Sequence, residues 1–125
     1  MIDCTQKYGN YGCSGGLMSS TLKYIKEKGA YEDKDYPYKA VASTCKAPQA
    51  TKWKISSYED GKTCDSLMTG IQKGPVSVAI DATKFSSYKA GILTDCGSTP
   101  NSGSLVVGVN DNYWKLKESF GTKFG

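Results

Sequence analysis

Two short runs near the end of the chain constrain its fold more than any other stretch. One is Pro-Asn-Ser-Gly-Ser-Leu-Val-Val-Gly-Val at 100–109, and the other is Tyr-Trp-Lys-Leu-Lys-Glu-Ser-Phe-Gly at 113–121. Apolar and charged residues alternate in the second run. Alternation places Trp114 and Leu116 on one face and Lys115 and Lys117 on the other. The intervening Asn-Asp-Asn is a turn sequence. The pattern predicts two antiparallel strands that form a hairpin.

Periodicity predicts four more elements. Apolar residues at near-helical spacing indicate a first helix, and Gly29 is suited to end it. Thr63 can accept hydrogen bonds at the start of a second, shorter helix. In chain order we expect a helix at 17–28, a strand at 51–58 with Trp53 and Ile55 on one face, a helix at 65–73 and a strand at 76–81. The fold class predicted is α+β, with a boundary at the charged, glycine-containing segment 59–62.

Composition and charge exclude several functional classes. The 125 residues suffice for one domain or most of one, and they contain no apolar run long enough to span a membrane. All 16 basic residues are lysines and are scattered singly, whereas nucleic-acid readers favour arginine for base and phosphate contacts. We therefore expect neither a nucleic-acid partner nor membrane insertion.

Histidine is absent from the chain, which limits its chemistry. Without an imidazole, the chain alone cannot form a Cys–His or Ser–His catalytic pair or a histidine-ligated metal site. The five cysteines are not spaced as Cys-x-x-Cys pairs, so a zinc site is not expected either. We predict no cofactor and no metal.

The hairpin sequence resembles that of the papain-like cysteine proteases, the cathepsins and their relatives. In that family the first strand contains Asn/Asp-His-Gly/Ala-Val, and the second contains Tyr-Trp-x-x-Lys-Asn-Ser-Trp-Gly. Here Ser102 occupies the position of the family's histidine and Glu118 that of its asparagine, while Phe120 and Phe124 replace two tryptophans. The scaffold of the motif is kept, but both residues that carry its chemistry have changed.

The resemblance extends to residues 3–16, where Asp-Cys, a glycine-rich loop and Gly-Cys-Ser-Gly-Gly precede Leu-Met. In the family the two glycines hydrogen-bond an extended substrate, and the strand matching 76–81 floors the pocket beside them. The resemblance therefore implies a substrate-cleft remnant at Gly15, Gly16, Leu17, Met18, Ala79 and Asn101. From the residues alone, the glycines would merely permit a tight turn before the helix.

For the fold, the resemblance implies a remnant of the helical sub-domain at 1–60 and a C-terminally truncated, open antiparallel β-barrel sub-domain at 61–125. It also implies a Cys4–Cys45 disulfide, and it leaves Cys13 without its family partner. Cys64 has no family counterpart, and a Cys64–Cys96 pair is a guess. In a cytosolic protein, all five cysteines would instead be expected as thiols.

Three functional hypotheses follow from the resemblance. The family's nucleophile motif, Cys-Gly-x-Cys-Trp, does not occur in this sequence, and Ser102 and Glu118 replace the base and its orienting group. The first hypothesis is a catalytically inactive homologue that serves as a structural or protein-interaction subunit of a larger assembly. The alternatives are a cysteine endopeptidase whose nucleophile segment comes from another chain, and a peptide-binding module that does not cleave.

The same comparison predicts an uncovered surface. The family's central helix would pack against the helix at 17–28 and against the strand faces at 76–80 and 105–107. We therefore expect a protein partner or a second copy to cover this face. Localisation stays open: cytoplasmic or within an intracellular assembly if Met1 is the true start, and lysosomal or secreted if a leader precedes it.

Overall fold

The computed structural model describes residues 1–46, 48, 50 and 52–125, and it has the α+β composition predicted from the sequence. The chain divides into two compact units, Met1–Asp60 and Gly61–Gly125. Its main elements are two helices, α1 (Met18–Lys28) and α2 (Cys64–Ile71), and three strands, β1 (Val76–Ile80), β2 (Ser102–Val109) and β3 (Trp114–Lys117). Within the described ranges, no helix is long and apolar enough to cross a membrane.

The first helix confirms its prediction almost to the residue. It begins after Leu17, whose backbone is extended, and ends at Gly29, whose φ of 86° lies in the left-handed region that favours glycine. Lys26 and Lys28 lie in the last turn, where positive charge interacts favourably with the helix dipole. None of the helix's residues is fully buried, so most of its apolar stripe is only partly covered.

The predicted strand at 51–58 is wrong for the residues that the structure describes; Thr51 lies outside them. Only Trp53 makes a β-bridge, with Ala30, and the two residues exchange both backbone hydrogen bonds at 2.8 Å. Trp53 is 62% exposed, and Ile55 is partly buried. Alternation predicts the preference for an extended chain, but a strand also requires a neighbouring strand of matching length, and Ala30 offers only one pairing position.

In the second unit, α2 begins with the cap that the sequence predicts. The Thr63 hydroxyl accepts the Ser66 N–H at 3.1 Å, and the Ser66 hydroxyl accepts the Thr63 N–H at the same distance. This reciprocal capping box satisfies two backbone donors at the helix N-terminus. The helix ends at Ile71, two residues earlier than predicted, and a turn leads into Gly74-Pro75 and β1.

The three strands form one antiparallel sheet in the order β1-β2-β3, which confirms that the predicted strands are neighbours. Val78 lies opposite Ser104 on one side of β2, and Leu105 lies opposite Lys117 on the other. The register shifts between Val106 and Gly108, as in a β-bulge. The implied barrel is thus represented in the described ranges by an open three-stranded sheet.

Burial in the second unit is concentrated at one point of β2. Val106 is 2% exposed and is the one hydrophobic residue that is fully buried among those described. Four aromatic rings also contact one another beyond the sheet, with centroid separations between 5.0 and 6.5 Å: Phe85, Tyr88, Phe120 and Phe124. Two of these rings, Phe120 and Phe124, lie where the resemblance predicts tryptophans, so both positions contribute to aromatic packing.

Candidate functional site

Ser102, which the resemblance aligns with the family's histidine, is the first residue of β2. It lies opposite Ile80 and is partly buried. Glu118 follows the last residue of β3 and is also partly buried. Continuing the register of Leu105 and Lys117 by one residue places Glu118 opposite Ser104. The hairpin therefore brings Ser102 and Glu118 to one end of the sheet.

These polar residues share one face of the sheet. Opposite residues of antiparallel strands project to the same side, as do residues two apart along a strand, so Ser102, Ser104 and Glu118 face the same way as Val106. Ser104 is only 8% exposed. Its hydroxyl and the Oε1 atom of Glu118 are both buried without a hydrogen-bond partner in the described part of the chain. The face thus carries oxygen atoms whose hydrogen-bonding capacity is unused.

Asn101, the residue before Ser102, is occupied by structural hydrogen bonds. Its Oδ1 accepts the Ala82 N–H at 2.9 Å, and its Nδ2 donates to the Thr83 hydroxyl at 3.0 Å. Thr83 in turn donates to Asp81 through its hydroxyl and its N–H, which, with a further N–H from Thr99, lowers the pKa of the Asp81 carboxyl. These hydrogen bonds hold the start of β2 against the residues that follow β1. The Asn101 amide already uses its oxygen and its nitrogen in them.

In the first unit, the glycine loop predicted as a cleft remnant is built around Asn10. Asn10 is 7% exposed; its Oδ1 accepts the Leu17 N–H at 2.8 Å and its Nδ2 donates to the Thr21 hydroxyl at 3.0 Å. A Cβ added at Gly16 would collide with the Asn10 side chain, so this position requires glycine. Asn10 therefore fixes both the loop and the start of α1.

The exposed side of this loop has free backbone groups. Gly15 and Gly16 are exposed, Leu17 is 67% exposed and Met18 is partly buried. In the described ranges, neither the N–H nor the C=O of Gly16 makes a hydrogen bond. A depression of about 180 Å³ is lined by these four residues together with Asn10 and others. The loop can accept an extended peptide backbone without breaking any bond of its own.

Ala79, the remaining cleft position, is exposed on β1 opposite Gly103. Side chains alternate along a strand, so Ala79 projects to the opposite face from Ile80 and Ser102. The sheet therefore places the predicted cleft residue Ala79 and the side chain of Ser102 on opposite faces.

The cysteines divide into one pair and three thiols. Cys4 and Cys45, which the resemblance paired, form a disulfide with a Cα–Cα distance of 4.8 Å. Cys13, Cys64 and Cys96 are free and exposed, so the guessed Cys64–Cys96 pair is wrong. Cys64 is the first residue of α2, and the Cys96 thiol donates to the Leu93 carbonyl at 3.5 Å.

A carboxylate supports the disulfide-linked region. Asp3 accepts the Ser43 N–H and the Tyr36 hydroxyl at 2.8 Å each, and the Ser43 hydroxyl at 3.1 Å. These donors, led by the Ser43 N–H, lower the pKa of the Asp3 carboxyl. The residues on either side of Cys4 and Cys45 are thereby held together by polar contacts as well as by the covalent bond.

The chemical capacity of the face around Ser102 and Glu118 is limited. A papain-like dyad requires a thiolate beside an imidazolium that a third group orients. This face offers hydroxyl and carboxylate oxygens, and a serine hydroxyl has no useful basicity near neutral pH. Among the described residues, no group of three or more histidine, cysteine or acidic side chains could hold a metal ion. The oxygens can accept or donate hydrogen bonds, which is a binding capacity.

Two residues of these sites were not singled out from the sequence. Ser104 follows Ser102 at the spacing of one strand face, so alternation could have placed it beside the altered positions. Asn10 carried no such signal, because an asparagine in a glycine-rich loop is ordinarily a turn residue. Its contact with Gly16 depends on how the loop folds back on itself.

Comparison with known proteins covers the whole chain. Residues 1–125 match the family described as papain family cysteine protease. The chain is 39% identical to cathepsin L 2 of Paramecium tetraurelia, over 100% of this chain and 40% of that protein. It is 40% identical to cathepsin S of Mus musculus, over 100% of this chain and 41% of that protein. The chain thus spans about two fifths of the length of these curated relatives.

A solved structure extends the similarity to three dimensions. The Carica candamarcensis cysteine protease CMS1MS2, in complex with E-64, aligns with a TM-score of 0.90 at 29% identity, over 99% of this chain and 61% of that one. The glycine loop, the helix after it and the hairpin therefore occur in the same order and fold as in a known protease. On these matches, the chain belongs to the papain family of cysteine proteases.

Proposed function

We propose that this chain is a catalytically inactive papain-family protein that acts as a structural or protein-interaction subunit. The observation that carries the proposal is the pair Ser102 and Glu118 at the family's base and orienter positions. A serine cannot take the proton of a cysteine thiol, and a carboxylate has no imidazole to orient. The chain contains no histidine that could take this place.

The test of inactivity compares this chain with an active papain-family enzyme. Both are incubated with fluorogenic peptides and with an active-site-directed epoxide inhibitor. We expect no hydrolysis by this chain. Its three exposed thiols should react with the epoxide no faster than free cysteine does, because none has an imidazole neighbour. Peptide turnover that the epoxide blocks would overturn the proposal.

Restoring the two residues sharpens this test. The double variant Ser102→His with Glu118→Asn regains the base and its orienter but not a nucleophile. We expect it to stay inactive, and only joining it to a segment that carries the Cys-Gly-x-Cys-Trp motif should restore hydrolysis. Activity of the double variant alone would mean that one of the present cysteines serves as the nucleophile.

The interaction role is supported by the small core. One hydrophobic residue of the described chain is fully buried, and none of α1 is. Burying a large apolar side chain contributes about 1.5–3 kcal/mol, so a partner that covers the partly exposed residues of α1 and β1 would add substantially to stability. We propose that a protein partner or a second copy does so, with the two units corresponding to the helical and β-barrel sub-domains.

Sedimentation velocity and hydrogen exchange test this role. The chain isolated from its native source should sediment as a complex, and α1 should exchange rapidly when the chain is alone. A monomer with slowly exchanging α1 amides would contradict the proposal.

A second candidate function is peptide binding without cleavage, favoured by the unbonded backbone of Gly16. An extended peptide could pair with this loop as it would with a strand edge. The measurement is calorimetric titration with an uncleavable peptide and with the same peptide N-methylated along its backbone, which cannot donate to the Gly16 C=O. Saturable binding that N-methylation abolishes, without any hydrolysis, would favour this function over a purely structural one.

A further inference from the structure

The second unit contains a depression that the family comparison does not explain. Its volume is about 500 Å³, and it is lined by Met68 of α2 and by residues 109–114 at the turn between β2 and β3. Met68, Tyr113 and Trp114 are 40%, 43% and 38% exposed. Three large apolar side chains therefore contact solvent around one concave surface. Such clusters commonly mark interaction sites, and this volume is within the range of ligand-binding pockets.

The charge of the depression is opposite to that of the chain. The protein has 16 basic and 12 acidic residues and a net charge of +4. Among the described residues that line the depression, Asp111 is the one charged side chain, and it is exposed. A carboxylate thus stands beside two aromatic rings and a thioether, with no lysine in the lining.

The turn that carries this carboxylate is well fixed. Asn110 Oδ1 accepts the Asn112 N–H at 2.9 Å and the Tyr113 N–H at 3.0 Å, and the Asn110 N–H donates to the Tyr113 carbonyl at 3.1 Å. This Asx turn occupies the Asn110 amide oxygen. The Asp111 carboxylate makes no hydrogen bond within the described ranges, so it is available to a ligand.

We propose that this depression binds a cationic side chain, an arginine or a lysine, presented by a partner polypeptide. Aromatic rings attract a cation through their quadrupole, and the Asp111 carboxylate can pair with a guanidinium or ammonium group. The aliphatic stem of such a side chain packs well against a thioether such as that of Met68. The inference goes beyond the proposed function, because it concerns the second unit alone and holds for an inactive or an active chain.

Trp114 provides a direct reporter for the test. The chain has two tryptophans, and the other, Trp53, is in the first unit, where its indole donates to Glu32 at 3.3 Å. In a Trp53→Phe background, the emission of Trp114 is recorded while acetyl-Leu-Arg-Leu-amide is added. The matched probe is acetyl-Leu-citrulline-Leu-amide, which has nearly the same shape and no charge. Circular dichroism verifies that each variant is folded.

We expect a saturable change in Trp114 emission with the arginine peptide and about tenfold weaker binding of the citrulline peptide, consistent with loss of a cation–π contact and an exposed ion pair. Asp111→Asn should weaken binding of the arginine peptide by a smaller factor, because it removes the ion pair and leaves the cation–π contact. Asp95→Asn, which removes an exposed carboxylate paired with Lys84 outside the depression, should leave the affinity unchanged. Equal affinity for both peptides, no saturable change, or indifference to Asp111→Asn would each overturn the proposal.

Discussion

The glycine loop at 10–18 and the hairpin of β2 and β3 both carry family motifs, but they have kept different parts of them. The loop retains its glycines, and the structure gives a reason, since Asn10 fills the space that a side chain at Gly16 would need. The hairpin has the predicted strands in antiparallel register, and it carries Ser102 and Glu118, which the resemblance aligns with the family's histidine and asparagine. The structure thus accounts for the glycine in the loop by packing, whereas the loss of the reaction at the hairpin is a proposal.

The largest expected effect tests the steric half of this comparison. In Gly16→Ala the new Cβ would lie 2.7 Å from the Cβ of Asn10, which is buried and held by two hydrogen bonds. We expect a loss of about 2–3 kcal/mol in the free energy of unfolding, measured by urea denaturation. The matched change in the hairpin is Gly108→Ala, whose Cβ would lie 3.7 Å from that of Lys115, and it should not destabilise. If both variants lose the same free energy of unfolding, steric packing does not distinguish the glycine of the loop from that of the hairpin.

The next effect tests whether the hairpin is kept for packing. Val106 is 2% exposed, while its neighbour Val107 is 37% exposed. We expect Val106→Ala to lower the free energy of unfolding by about 2 kcal/mol and Val107→Ala by less than about 0.5 kcal/mol. Thermal unfolding followed by circular dichroism measures both. If the two variants unfold alike, burial in β2 does not explain why the strand persists.

A smaller effect concerns the polar face of the hairpin. The Ser104 hydroxyl is buried without a partner in the described chain, so Ser104→Ala removes an unsatisfied group without leaving another. We expect the free energy of unfolding to rise by about 1 kcal/mol. As a control, Thr63→Ala removes a hydroxyl that does cap a helix and should lower it by about 1 kcal/mol. Destabilisation by Ser104→Ala would indicate that this hydroxyl has a partner after all.

The smallest effect is the pH dependence of the first unit. The hydrogen bonds from Ser43 and Tyr36 hold the pKa of the Asp3 carboxyl below its ordinary value. Their stabilisation is therefore fully present above about pH 4 and is lost as the pH falls through the lowered pKa. We expect Asp3→Asn to flatten the acid limb of the stability curve, measured by thermal unfolding between pH 2 and pH 6. An acid limb that is equally steep in this variant would show that the Asp3 network is not the cause.

Most of the fold followed from local signals in the sequence. The apolar stripe lies within α1, Gly29 directly follows that helix, and Thr63 directly precedes α2, as the sequence predicted. The prediction of a strand at 51–58 was wrong because strand formation depends on pairing with distant residues. In the described chain, only Trp53 pairs, and its partner is Ala30. Alternation of apolar and polar residues does not indicate whether a neighbouring strand is present to pair with.

The site was predictable to a lesser degree, and for a related reason. Ser102 and Glu118 could be located by their order within a known motif. The burial of the Ser104 hydroxyl and the contacts of Asn10 could not be predicted, because they depend on which distant groups pack against these residues. A buried polar atom differs from an exposed one only through its surroundings, and the sequence gives those surroundings indirectly.

The order β1-β2-β3 has a consequence for the behaviour of the chain in concentrated solution. In the described chain, β1 and β3 each pair on one side only, and so each presents an edge that can accept another strand. Lys115 and Lys117 place like charges along the β3 edge, which discourages a second copy from adding there. The β1 edge has the sequence Val-Ser-Val-Ala-Ile, without a charge or a proline to deter such growth. Ordered aggregation during expression or storage would therefore start from β1, and a lysine at its exposed Ser77 would be the first remedy to try.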